Sequence, residues 1–120
     1  MYLQLINFNL KDLSFGDYEQ LCSTISGQFA SVTGLTAKFW LSDVSNNVFG
    51  GVYIWESKTS MEEFKNSELF SAVANHPNLI NISSRGFDIL DGPTRTTRGY
   101  YLEDYLERIK VLETCHNNVD

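Results

Sequence analysis

Apolar and polar positions alternate at a period of two from Tyr2 to Leu10, with Leu3, Leu5, Asn7 and Asn9 pointing one way and Gln4, Ile6 and Phe8 the other. This predicts a strand, and because both faces carry apolar residues, one covered on both sides. The period then lengthens. Ser14 followed by Asp17 reads as a helix N-terminus, after which Tyr18, Leu21, Cys22, Ile25, Phe29 and Val32 recur at helical steps and define one apolar face. Gly34 is placed to end that helix.

From Gly34 to Trp55, two aromatic, β-forming segments flank the turn formers Ser42 to Asn47, which predicts a β-hairpin. Thr59 with Glu62 and Ser60 with Glu63 form overlapping capping boxes that predict a second helix. Its apolar residues Met61 and Phe64 are out of step with Leu69, Phe70 and Val73. A break is therefore expected near Asn66-Ser67, with Ser67 capping the second piece. Pro77 restricts His76, so this helix should end by about Asn75. Ile80 to Leu90 alternates again, with Ser83, Arg85, Phe87 and Ile89 on one side, and Asp91-Gly92-Pro93 is expected to break the pattern.

The order strand, helix, strand, strand, helix, strand is the βαββαβ arrangement of a ferredoxin-like α+β fold with an antiparallel sheet. It assigns residues 1–99 to one domain. Residues 100–120 form a C-terminal extension in which Leu102, Tyr105, Leu106, Ile109 and Leu112 share a helical face. A chain of 120 residues has room for a single core.

Charge narrows the partners. Nine Lys plus Arg against fifteen Asp plus Glu give a net charge of −6, which repels nucleic acid and anionic membrane surfaces. The N-terminus lacks the features of a secretory signal, and no apolar run reaches membrane-spanning length. Cys22 and Cys115 do not describe a disulfide scaffold. A cytoplasmic protein is the expectation.

Candidate chemistry is sparse. His76 is either a general base at a cavity mouth or a histidine stabilising a helix end. Neither His76 nor His116 has neighbours at metal-ligand spacing, so no metal is expected. Gly50-Gly51 lies in a strand pattern and reads as a bulge or a close backbone approach. Phe39, Trp40, Tyr53 and Trp55 crowd the hairpin as core, interface or pocket wall. Asn7 shares a face with Leu3 and Leu5 and needs a polar partner. Cys22 reads as a buried thiol. Arg95 to Gly99 is a local basic loop, able to hold a carboxylate or to stay solvated.

Lys38-x-Trp40, Gly50-Gly51-Val52-Tyr53 and Phe87-Asp88-Ile89 together resemble the YdhR-type mono-oxygenases, within the antibiotic-biosynthesis-monooxygenase superfamily of dimeric α/β barrels. The resemblance covers roughly residues 1–99. It implies a homodimer whose sheets pack into a central barrel, with one pocket per protomer between helices and sheet. Some relatives degrade haem with an Asn on the first strand and a Trp and a His on the second helix. Asn7 matches the first, whereas Phe64 and Val73 or Ala74 stand where the others would be.

The resemblance implies a monooxygenase that needs no cofactor and acts on a small aromatic or quinol-type substrate. In that reading His76, Tyr53 and Asn7 are catalytic, and Trp40, Trp55, Phe39, Phe70 and Arg85 bind substrate. A polyketide-type cyclase or isomerase, or a non-catalytic ligand-binding or assembly dimer, are the alternatives on the same fold.

Overall fold

A computed structural model describes residues 1–101. In the unit Met1–Asp88 the chain runs β1 (Tyr2–Leu10), α1 (Phe15–Ala30), β2 (Leu35–Asp43), β3 (Val48–Trp55), α2 (Lys58–Lys65), α3 (Glu68–Ala74) and β4 (Leu79–Asp88). The four strands form one sheet in the order β2-β3-β1-β4, with every neighbouring pair antiparallel. This is the ferredoxin-like arrangement read from the sequence.

Local chemistry sets the boundaries. Ser14 Oγ accepts the Asp17 N–H at 3.1 Å and starts α1, and Gly34, at φ 82°, turns the chain into β2. The cap of α2 is Ser57 rather than Thr59 or Ser60, its Oγ accepting the Ser60 N–H at 3.2 Å. The expected break is present, since α2 stops at Lys65 and Ser67 Oγ takes the Phe70 N–H at 3.2 Å to begin α3.

One bulge tunes the sheet. Between β1 and β4 the register passes from Asn7 opposite Ser83 to Asn9 opposite Ile80. The extra residue on β4 is absorbed where Asn81 takes φ 56° and donates from Nδ2 to Asn9 Oδ1 at 2.9 Å. The shift in parity lets Leu79 before the bulge and Ile82 after it both pack on the helix side.

The core lies between the helices and one sheet face. Tyr2, Ile6 and Phe8 of β1 and Phe49, Tyr53 and Trp55 of β3 meet Tyr18 and Phe29 of α1 and Met61 and Phe64 of α2. The opposite face carries Leu3, Leu5 and Asn7 of β1, Val52 and Ile54 of β3, Phe39 of β2, and Arg85 and Phe87 of β4, brought side by side by the strand registers. No element of the same unit covers it, and Phe39 and Phe87 remain 37% and 39% exposed.

The second unit begins at Ile89. Asp91-Gly92-Pro93, expected to be irregular, instead opens α4 (Asp91–Thr96), with the Thr94 N–H donating to Leu90 O at 3.1 Å. Pro93 is tolerated because it falls in the first turn, where the helix needs no donor. A 3-10 turn follows at Gly99–Tyr101, and the Tyr100 hydroxyl hydrogen-bonds the Asp91 carboxylate. The amphipathic helix expected from Leu102 to Leu112 lies outside the described residues. No described helix is long and apolar enough to cross a membrane.

Candidate active site

Strand register builds the site. Lys38 of β2 stands opposite Tyr53 of β3, and Trp40 opposite Gly51, so all of them face the helices, in phase with buried Tyr53 and Trp55. The absent side chain at Gly51 makes room for the pair, because a Cβ there would stand 3.0 Å from Lys38 Cε and 3.2 Å from Tyr53 Cε1. Gly50 serves the backbone instead. At φ 146° it lets β3 approach β1 so closely that a Cβ would overlap the Ile6 carbonyl.

From above, α1 contributes Tyr18, Cys22, Ile25 and Phe29. With Phe8, Lys38, Trp40, Tyr53, Val73 and Leu79 they enclose an apolar cavity of about 30 Å³, room for roughly one water-sized molecule. Trp40, 37% exposed, stands at its rim and meets the Phe29 ring edge-on, centroids 5.3 Å apart at 82°.

The Lys38 ammonium sits inside an aromatic box. Its Nζ lies 3.4 Å from the Phe29 ring centroid, 3.3 Å from that of Trp40 and 4.7 Å from that of Tyr53. These distances are within cation–π range. Burial nonetheless dominates and pulls the Lys38 pKa down to about 7, opposed only in part by the nearby Cys22. Burial also pushes Tyr18 and Tyr53 well above the ordinary phenol range, with Cys22 adding to both. The Cys22 thiol is likewise raised, chiefly by burial. At neutral pH the pocket therefore holds two protonated phenols, a protonated thiol and an amine able to exist in either state.

A polar brace supports the floor. Gln4, fully buried, accepts the Trp55 indole N–H at 3.0 Å and donates from Nε2 to Ser84 Oγ at 3.0 Å. Trp55 in turn stacks parallel on Tyr53, ring centroids 6.0 Å apart at 1°.

The residues singled out from sequence divide between the two sheet faces. Tyr53 and Trp40 line the cavity, Trp55 supports Tyr53, and Phe70 packs on Phe64 behind it at 5.4 Å. Asn7, Phe39 and Arg85 lie on the opposite face, where Asn7 pairs with Gly50 and Ser83, and Arg85 lies over the Phe87 ring at 4.9 Å. Strand alternation separates the two sets, so one pocket cannot contain both. His76 belongs to the turn between α3 and β4, its Nδ1 accepting the Asn78 N–H at 3.1 Å.

Sequence reasoning used Lys38 only as part of a family pattern and missed Tyr18 as a site residue. The available signal was a lysine alternating in phase with Trp40 in an aromatic strand, a position that brings its stem among apolar groups.

Comparison with known proteins agrees with this architecture. A family profile described as putative mono-oxygenase ydhR matches residues 3–100. Curated proteins give no match. Among solved structures, a putative antibiotic biosynthesis monooxygenase from Deinococcus radiodurans superposes with a TM-score of 0.62 at 13% identity, over 77% of this chain and 95% of that one. The heme-degrader MhuD from Mycobacterium tuberculosis, with two hemes in its active site, gives 0.61 at 16% identity over 75% and 96%. A point mutant of SnoaB, a cofactor-independent oxygenase from Streptomyces nogalater, gives 0.58 at 14% identity over 73% and 92%. At these identities the likeness is one of fold.

Proposed function

We propose that this chain, which belongs to the family described as putative mono-oxygenase ydhR, is a cofactor-independent monooxygenase of a small aromatic or quinol-type molecule. The observation that carries the reading is the apolar cavity between α1 and the sheet, walled by aromatic rings and holding a single amine beside the Tyr53 phenol. In such a reaction the substrate itself reduces dioxygen once its hydroxyl is deprotonated. The protein has to hold the ring, manage one proton and exclude water. Tyr53 supplies a hydroxyl donor and Trp40 a rim that must swing aside, since the resting cavity of about 30 Å³ is smaller than any aromatic substrate. Haem suits these residues poorly, because Phe64 is buried in the core and Val73 offers no ligand atom.

The apolar sheet face supports a homodimer in which Leu5, Val52 and Phe39 of two copies pack together. The small resting cavity also favours a second reading, an assembly dimer without catalysis.

Oxygen uptake separates these readings. Incubation of the purified protein with a hydroxyanthrone or naphthoquinol, without flavin and with chelator, should consume dioxygen in step with product formation. Equal conversion under nitrogen would point to a cyclase or isomerase. Failure to bind or turn over any such compound would leave the assembly dimer.

A further inference from the structure

We propose that Lys38 is the acid–base residue of the pocket, its neutral Nζ taking the proton from the hydroxyl of a bound phenol, enol or quinol and its ammonium form then holding the anion. The inference rests on the pocket reading above and adds to it the group that ionises the substrate.

Placement comes first. Lys38 comes from the middle of β2, its stem passes over Gly51, and its Nζ is hemmed by the rings of Phe29, Trp40 and Tyr53. The amine is thus fixed at the cavity wall. Its surroundings matter as much. From α1 come Tyr18 and Cys22, and from β3 comes Tyr53, while β1, α3 and β4 present Phe8, Val73 and Leu79, which do not titrate. Among the described residues no carboxylate bears on its charge, so nothing there locks it as an ion pair.

Two opposed effects then suit it to proton exchange. Removal from water disfavours the ammonium, and the three ring faces stabilise it once formed. An amine whose pKa lies near the working pH is effective in both directions of transfer. The two phenols, raised rather than lowered, stay protonated, and the Tyr53 hydroxyl can donate to the substrate anion. Groups driven apart in this way divide the labour into one base and a donor. In the step itself the substrate O–H bond breaks, an N–H bond forms on Lys38, and no electrons change owner.

The test has two arms, both on the full chain. In protein carrying lysine labelled with carbon-13 at Cε, the resonance lost in Lys38→Met should titrate near pH 7 rather than at the ordinary lysine value of 10.5. Titration of that resonance near 10.5 overturns the proposal without any ligand. In the second arm 2-naphthol is added at about pH 8, below its own ionisation and above that of the amine. Wild type should develop the naphtholate absorbance band, and K38M should quench Trp40 fluorescence on binding but keep the neutral band. A neutral band in both overturns the role of Lys38 alone. Binding to neither overturns the pocket reading, a distinguishable result.

Discussion

Trp55 donates its indole N–H to Gln4 at 3.0 Å, and both side chains are fully removed from solvent. A buried donor left without an acceptor costs about 1–3 kcal/mol, so Gln4→Leu should lower stability by that amount in urea unfolding. Trp55→Phe removes the donor from the same bond. The double variant should therefore cost less than the sum of the singles, because the two changes remove one shared interaction.

The adjacent glycines should respond differently to a methyl group. At Gly50 a Cβ runs into the Ile6 backbone carbonyl, which cannot give way, and Gly50→Ala should destabilise by more than about 4 kcal/mol or prevent folding. At Gly51 the neighbours at 3.0 and 3.2 Å include the side chains of Lys38 and Tyr53. Gly51→Ala should fold, with a thermal midpoint lowered by only a few degrees, and should displace Lys38 so that its labelled Cε resonance titrates at a different pH.

That division shows what could be read from sequence. The Gly-Gly pair signalled a close backbone approach, and Gly50 makes one, but only the register shows that the second glycine clears space for a lysine. Likewise the element order, the break at Ser67 and the apolar residues on both faces of the first strand follow from local periodicity and capping. The site does not, because Tyr18, Lys38 and Tyr53 lie on three elements and meet only through tertiary packing. Alternation correctly grouped Lys38 with Trp40 and Tyr53 with Trp55. It could not say which sheet face the helices cover, and so Asn7, Phe39 and Arg85 were grouped with residues on the other side.

The exposed apolar sheet face should set the oligomeric state. Phe39 and Val52 are cross-strand partners on it, and Val52→Lys should convert a dimer to a monomer in sedimentation equilibrium, since a charge buried at a dimer seam lacks a partner. A wild type that sediments as a monomer would contradict the barrel.

Stability should depend on pH through Lys38. Its pKa is about 7 folded against 10.5 unfolded, so between those values the unfolded chain binds the extra proton and stability rises with pH. Below about 7 both states are protonated and the cost of the buried charge is constant. The stability of wild type relative to K38M should therefore climb from pH 7 towards 10.5 and be flat below. Chemical denaturation at several pH values checks this, and a difference independent of pH would refute it.

Entry of an aromatic ligand between α1 and the sheet is the claim on which the rest depends. A crystal structure of the protein with 2-naphthol tests it directly. Density should be enclosed by Phe29, Trp40 and Tyr53, with Trp40 swung from its contact with Phe29 and the ligand oxygen within hydrogen-bond reach of Lys38 Nζ. Density on the opposite face, against Leu5, Phe39 and Arg85, with the cavity beneath α1 unchanged, would contradict it.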